Sequence, residues 1–573
     1  MAKAEATVEE LVGMIERGEL RLPEMQRRYV WRSTRVRDLL DSLYRGYPSG
    51  AILVWDSDGD VPLQKFGVAQ ADNPYSSTRL LLDGQQRLTS LSAVVRGKPV
   101  EVRGRTRPIE LLFNLEHPEG PAVVTEVNED SDDDEGEDEA DVTEDELLRR
   151  FERMTFVVAT KKLEQLPHWV SVSEVFTSDD DAEFLARAKV TALTDPNYKK
   201  YSQRLAKLRS IKKYIYRMDV LERSLSYDEV TEIFVRVNSL GAKLRSSDLA
   251  LAQITAKWRG SLTTFQTFQN DCAGQGFDLD LGLHLKNMVA FATGQSRFLT
   301  VGKLNVDSLK SAWKQACSGM EFAVNFVKSN AGINSPVLLS SPFLLIALGY
   351  YGHQRGYRIE PDEGRLLRYW VLTANAKGRF SRGSSETILD QDLAIARDGG
   401  TVKDFIERLK QQVGRLDITP EELEGRNVRS SLFKTMFLAF RDAGAKDWTS
   451  NLLIAVDHSG VQHRIQFHHI FPKDSLKTLY GQREIDDIAN LAFIGGDTNR
   501  KISKTSFSDY FPKFVERIGS APFEAQCIPL DNELRDLASY KSFLSVRRQK
   551  LAERLNQFLG SESAQTGASL ATY

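Results

Sequence analysis

Leu80-Leu-Leu-Asp-Gly-Gln-Gln-Arg-Leu-Thr-Ser-Leu91 carries the reading of the N-terminal half of the chain. Three consecutive leucines have the texture of a buried strand, and Asp83-Gly84 is a turn dipeptide. From Gln85 the apolar residues Leu88, Leu91, Val94 and Val95 recur at helical spacing until Gly97. A strand, a glycine turn and a helix in that order aim free backbone N–H groups and the positive end of a helix dipole at whatever lies above the turn. A phosphate suits that place, and Arg87 in the first helical turn adds a planar, two-pronged donor. Gln85 and Gln86 add donors and acceptors, and Asp83 has the chemistry to hold a divalent ion or a sugar hydroxyl. The alternative is purely structural: Asp83 caps the helix and Arg87 pairs with a neighbouring carboxylate.

Working outward, residues 1–125 alternate short apolar runs with helical patterns, an α/β texture. Ala51–Trp55, Leu80–Leu82 and Leu111–Asn114 are predicted strands, as are Thr155–Ala159 and Ile215–Leu221, with a basic amphipathic helix at Asn197–Tyr214 between the last two. The start, MAKAEATVEELVGMIERGEL, has the pattern of an amphipathic helix. From about Ser226 to Gly425 the apolar stripes are mainly helical, as in Pro342–Tyr351, and near Asn451 short strands with clustered histidines return and run to about Tyr510. No internal repeat is present. The fold class expected is α+β, mostly helical: an N-terminal α/β domain, a helical middle, and a C-terminal helical domain carrying a strand–strand–helix motif.

With 41% apolar and 27% charged residues in 573, the composition excludes a wholly disordered or collagenous chain. No run approaches the ~18 apolar residues a membrane span needs, and no basic stretch followed by an apolar block marks a secretory signal. The three cysteines, Cys272, Cys317 and Cys527, stand far apart, which excludes a disulfide framework and a cysteine-ligated zinc site and predicts a cytoplasmic location without membrane partners. The net charge of −3 conceals an asymmetry, because 14 acidic residues and no Lys or Arg lie between Glu126 and Glu146. With these set aside, 65 of the 79 acidic residues face 76 lysines and arginines. A cationic body suits phosphate-bearing partners, with a merely solvated surface as the alternative. The run 126–147 itself is expected to be a disordered acidic loop.

Two further stretches interleave basic and aromatic residues, a composition suited to nucleotide or nucleic-acid contact. Leu22-Pro-Glu-Met-Gln-Arg-Arg-Tyr-Val-Trp31 carries Gln26, Arg27, Arg28, Tyr29 and Trp31 just before a helix at Arg35–Tyr44, and Glu232-Ile-Phe-Val-Arg-Val-Asn-Ser-Leu-Gly241 runs helically into a polar turn. Together with Gly46-Tyr47-Pro48-Ser49-Gly50 and the Asp83–Arg87 centre, these resemble the ParB-like domains of phage-defence proteins. Pro23, Gln26, Arg27, Tyr29, Trp31, Asp83 to Arg87, Phe234, Arg236, Asn238 and Gly241 fall on that family's pattern, and Arg379-Phe-Ser-Arg-Gly-Ser-Ser-Glu with Asp390 and Asp392 is similar to its helical portion. The resemblance implies a module that binds and hydrolyses a nucleoside triphosphate of unspecified base. Its nucleotide site would comprise Asp83, Gly84, Gln85, Gln86 and Arg87 with Gln26, Arg27, Arg236 and Asn238. A Gly-x4-Gly-Lys-Ser/Thr loop is lacking, so the module is not of Walker type.

Of eight histidines, four (His458, His463, His468 and His469) lie within residues 458–469. Arg464-Ile-Gln-Phe-His-His-Ile-Phe-Pro472 is predicted as a strand, which puts His468 and His469 on opposite faces. Asn490-Leu-Ala-Phe-Ile-Gly-Gly496 is predicted as a second strand, and the segment from Asp497 to Lys504 as a short helix capped by Asp497. Strand, strand and helix with this histidine pair resemble the HNH endonuclease motif on a ββα-metal fold. That resemblance implies that His468 and Asn499 are metal ligands, that His469 is the general base, and that Asn490 ties down the loop holding the base. A carboxamide in place of a third histidine favours Mg²⁺ or Mn²⁺ over zinc. Lys501 and Lys504, with Arg500, are candidate DNA contacts. Tyr29 and Trp31 are candidates for a modification pocket, with core packing as the alternative. His463 is either a substrate contact or simply exposed.

The fused arrangement resembles modification-dependent restriction enzymes of the GmrSD and SspE kind. The domains expected are a ParB-like nucleotide-binding domain in two parts, 1–125 and 148–255, separated by the acidic loop 126–147; a helical linker domain, 256–425; an HNH domain, 426–560; and a flexible tail, 561–573. The resemblance implies an antiphage DNA endonuclease, nicking or cleaving, regulated by NTP and by DNA modification such as glucosylation or phosphorothioation. It leaves open a homo-oligomer. Two readings of other classes compete: a nucleotide-switched DNA-binding protein whose HNH part is non-catalytic, and an RNA-directed nuclease toxin.

Overall fold

Ile52, Leu53, Val54 and Trp55 alternate between two apolar clusters, and that alternation places a sheet in the middle of the N-terminal unit. The computed structural model describes residues 2–26, 31–57, 61–64, 66–71, 78–102, 108–120, 144–240, 245–459, 462–465, 467–502 and 505–560, with the backbone alone for 144–147, 238–240, 457–459 and 462–465. The chain divides into two units, Met1–Gly260 and Ser261–Tyr573. Overall the described fold is mostly helical with a mixed sheet in the first unit, an α+β class.

The strands of the first unit are β1 (Ala2–Thr7), β2 (Leu20–Pro23), β3 (Ile52–Ser57), β4 (Leu63–Gln64), β5 (Thr78–Asp83), β6 (Leu111–Asn114), β7 (Phe156–Val158), β8 (Trp169–Ser171) and β9 (Ile215–Leu221). Six of them form a sheet in the order β1-β9-β3-β5-β2-β4, with β9–β3 and β5–β2 parallel and the other pairs antiparallel. Ile52, Val54 and Leu81 face the helices α1 (Val8–Glu16), α2 (Ser33–Arg45) and α3 (Gln85–Val95), which contribute Leu11, Ile15, Leu40, Leu43, Leu88 and Leu91. Leu53, Trp55, Leu80 and Leu82 face the opposite way, onto Tyr227, Val230 and Phe234 of the helix Tyr227–Leu240. A sheet covered on both faces explains the unbroken leucines of β5. The remaining three strands make an antiparallel sheet, β7-β6-β8.

Two local expectations need correction in the first unit. The start of the chain is a strand and then a helix. The alternating Ala-Lys-Ala-Glu-Ala pairs with β9 from Ala2↔Val220 to Thr7↔Ile215, so edge pairing overrides the helix preference of alanine. Thr7 then opens α1 with a capping box, its hydroxyl accepting from the Glu10 N–H at 3.2 Å and the Glu10 carboxylate from the Thr7 N–H at 2.7 Å. The acidic run is not wholly loop, since the helix Glu144–Glu152 takes in its last four residues; residues 121–143 lie outside the described residues, as does the tail 561–573.

The second unit is helical, with two short ribbons, β10 (Val456–Ser459) with β11 (Gln462–Ile465) and β12 (His468–His469) with β13 (Leu491–Ala492). The predicted single strand from Arg464 to Pro472 is therefore broken, its two ends pairing in different sheets. One apolar core runs through the unit, from Cys272, Trp370 and Leu372 to Phe471, Leu491, Phe493 and Leu559. No helix among the described residues is long and apolar enough to cross a membrane.

His284, on the helix Leu281–Thr293, is 1% exposed, and neither ring nitrogen has a hydrogen-bond partner; its ring stands edge-on to Phe268. Burial drives its pKa down to about 4. The folded ring stays neutral where the unfolded chain, at about 6.5, binds a proton, so stability is lost as pH falls from about 6.5 to 4. His284→Leu is expected to raise the melting temperature, and to raise it more at pH 5 than at pH 8; equal shifts at the two pH values would refute the titration.

Candidate functional site

The C-terminal candidates converge because β12 and β13 pair, His468 opposite Ala492 and His469 opposite Leu491. Adjacent strand residues face opposite ways, and here His468 is 4% exposed while His469 is half-buried. Asn499 comes in from the short helix Gly496–Ile502, and its Oδ1 lies 2.7 Å from Nδ1 of His468. Asp497 lies inside that helix rather than capping it. Trp448 and Tyr510 stand edge-on to the His468 ring, whose Nε2 is buried without a partner. Burial lowers the His468 pKa to about 4 against the opposing pull of the Asn499 contact, so the ring is neutral at physiological pH.

A carbonyl oxygen only accepts, so the His468–Asn499 contact requires either a proton on Nδ1 or a cation shared by both atoms. Ligands adjacent on an octahedral ion with bonds of ~2.1 Å lie about 3 Å apart, close to the observed separation. The donor pair therefore has the chemistry to hold a hard divalent ion. Among the described residues, no three of His, Cys, Asp and Glu come together to hold a metal ion. The pair opens onto a cleft of ≈ 180 Å³ lined also by His469, Lys473 and Asp474.

Asn490 does not lie on a strand but ends the turn Ile488–Asn490 just before β13. Its wholly buried amide accepts from the Phe471 N–H at 2.9 Å and donates to the carbonyls of Phe471 at 3.2 Å and Ile485 at 3.1 Å, and its own carbonyl accepts from the Ile470 N–H at 2.7 Å. The segment that follows the two histidines is thus tied to the turn before β13.

Sequence reasoning missed two carboxylates around this centre. Asp486 Oδ1 lies 3.2 Å from Nε2 of His469 and 3.1 Å from Nζ of Lys473, and Gln482 donates to its other oxygen. Burial pushes the Asp486 carboxyl up, but the bonds from His469, Gln482 and Lys473 outweigh it and hold the pKa at about 2. Asp447 accepts from the Gly495 N–H at 2.7 Å and the Thr498 hydroxyl at 2.9 Å, fastening both ends of the turn that launches the Asn499 helix. Their only signal in the sequence was a carboxylate among polar residues, which does not reveal a partner brought by folding. Arg500 is exposed and paired with Asp497, Lys501 is exposed, and Lys504 lies outside the described residues, as do the side chains of His458 and His463.

In the first unit, Gly84, at φ +100°, is the N-cap of α3 and supplies no side-chain cap. Asp83 does not cap the helix; it pairs with Arg87 at 3.2 Å. Arg87 also donates to the carbonyls of Ser49 and of Ala51, the latter at 2.7 Å, and lies 5.8 Å from the centre of the Tyr216 ring. Gln26 donates to the carbonyls of Leu81, at 3.2 Å, and Leu82, and Gln86 Oε1 accepts from the Trp31 N–H at 3.2 Å. Gln85 is buried with its Oε1 unpartnered. Gln26 and Asp83 to Arg87 are therefore brought together at one strand end. Arg236 is exposed and paired with Glu232 at 2.7 Å on a helix whose Phe234 packs on Leu80 and Leu82. Trp31 packs against the core of the unit. Arg27, Tyr29 and Gly241 lie outside the described residues, as does the Asn238 side chain.

Gly50 has φ +88°, and a Cβ there would stand 2.5 Å from an Arg87 guanidinium nitrogen. Gly50→Ala is expected to cost about 1–3 kcal/mol in chemical denaturation through backbone strain and displacement of Arg87; an unchanged midpoint would count against the Arg87 anchor.

Residues 8–255 match the family described as the GmrSD restriction endonuclease, N-terminal domain. Over 549 residues the chain is 24% identical to an uncharacterized protein of Methanocaldococcus jannaschii, with 88% of this chain and 86% of that one covered.

Proposed function

We propose that the chain, whose residues 8–255 match the GmrSD restriction endonuclease N-terminal domain, cuts DNA at the His468–His469–Asn499 centre under the control of a nucleotide held at the Gly84 turn. The observation that carries the reading is the 2.7 Å approach of His468 Nδ1 to Asn499 Oδ1 at the cleft, with His469 next to it on the other strand face.

His468 and Asn499 would hold Mg²⁺ or Mn²⁺, which when bound supplies positive charge to the scissile phosphate. His469 takes the proton of the attacking water as its oxygen bonds to phosphorus and the bond to the 3′ oxygen breaks, the departing oxygen taking a proton from solvent. Imidazole is the side chain whose chemistry suits taking and returning a proton at neutral pH. Asn490 keeps the histidine segment in place, and Lys473 offers a cation at the cleft wall. Lys501, Arg500 and Lys504 are proposed to meet flanking phosphates.

In the first unit, the open N-terminus of α3, with Gln85, Gln86 and Gln26 beside it, is proposed to receive the phosphates of an NTP. Arg87 would leave its carbonyl partners to meet them. Coupling that exchange to the nuclease gives a two-state control, and DNA modification, whether glucosylation or phosphorothioation, is the proposed signal.

The test is digestion of unmodified, glucosylated and phosphorothioated plasmid, with and without each NTP, in Mg²⁺ and in chelator. Nicking that requires the divalent ion and falls at least about 10²-fold in His469→Ala is expected, with Asn499→Ala needing more Mg²⁺. Equal cleavage by wild type and His469→Ala would remove the assignment, and NTP turnover unaffected by Arg87→Ala would remove the nucleotide site.

A further inference from the structure

We infer that Asp486 is a positioning residue for His469, fixing which ring nitrogen accepts the proton; this rests on the nuclease reading above. An ionised carboxylate only accepts, so the 3.2 Å contact puts the imidazole N–H on Nε2. A neutral ring with its proton on Nε2 has its lone pair on Nδ1, which becomes the atom that takes the proton from water. Once it does, the ring is cationic, and the adjacent carboxylate stabilises it without accepting the proton itself.

The carboxylate is itself held in place. Lys473 Nζ binds the same oxygen at 3.1 Å, and Gln482 binds the other. The neighbouring Asp487 is wholly buried; it accepts from the N–H groups of Gly425 at 2.7 Å and Ala489 at 2.8 Å and from Arg548 at 2.5 Å. Ile488 N–H donates to the Arg426 carbonyl at 2.7 Å. Arg547, fully buried, donates to the carbonyls of Ala489 at 2.8 Å and Gln526 at 3.0 Å. The Tyr540 hydroxyl donates to the Glu484 carbonyl at 2.7 Å. Residues on both sides of Asp486 are thus anchored to other elements, which is more than a surface ion pair with Lys473 requires. A group that must direct one nitrogen of an imidazole needs that rigidity.

The test is a double-mutant cycle in the full chain, read by Mg²⁺-dependent nicking of supercoiled plasmid at high enzyme concentration. Asp486→Asn, which keeps the side-chain shape, is expected to lower kcat by about 10²–10⁴-fold with KM nearly unchanged, and Asp486→Glu to restore part of the loss. In a His469→Ala background, Asp486→Asn should cost nothing further, a result that a general structural role would not give. An equal loss in both backgrounds, or Asp486→Asn within twofold of wild type while His469→Ala is inactive, overturns the positioning role and leaves the nuclease reading standing. Wild-type nicking by His469→Ala overturns the nuclease reading, and the role of Asp486 falls with it.

Discussion

The buried amide of Asn490 is the constraint on which the C-terminal centre depends. A ladder of two residue pairs cannot hold two imidazoles still, since isolated two-stranded pairings are marginal in water. The Asn490 side chain makes three hydrogen bonds, to both backbone groups of Phe471 and to Ile485, and so joins the segment after the histidines to the turn before β13. Wholly buried polar groups repay their desolvation only when such bonds are made, so the same amide that costs most if misplaced specifies the geometry most tightly.

Buried charge surrounds this centre and does related work. Asp447 fastens the turn bearing Asn499 with donors from Gly495 and Thr498, while Arg548 and two backbone N–H groups satisfy Asp487 on the opposite side. In the helical part, Arg379 and Asp392 form a bidentate pair that is about as buried as an ion pair can be, with Nε–Oδ2 at 2.7 Å. Breaking one partner of such a pair leaves an uncompensated charge, a loss of about 3–5 kcal/mol. These contacts are better understood as devices that select one arrangement than as sources of net stability.

Local pattern went far where an element has a strong period or a turn residue. Leu111–Asn114 and Ile215–Leu221 are strands over the residues expected, and the strand, glycine turn and helix at Asp83–Gly84 stand where the leucine run and the helical spacing put them. The proximity of His468 to Asn499 across 31 residues is different in kind: the resemblance to the HNH motif implies it, and no local period does. What was not legible depends on partners. β1, β2 and β8 are short strands whose identity comes from pairing, the break after Ile465 comes from β11 and β12 joining different sheets, and Asp486 and Asp447 acquire meaning only from groups that folding brings to them. Arg87 shows a third case. Its chemistry suits a phosphate, yet it is engaged by Asp83 and two backbone carbonyls, an internal solution that spacing alone does not distinguish from a ligand site.

The apolar core of the second unit draws on residues from Cys272 to Leu559 without a seam near residue 425. Phe433, Phe437 and Phe440 of the helix Ser431–Asp442 close around Phe493, the residue after β13. Heredity therefore cannot trade residues 426–560 of this molecule as a loose cassette. A gene fusion or recombination that began there would expose a large apolar wound, and the piece that carries these residues with an interior of its own is the block from 261 to 560.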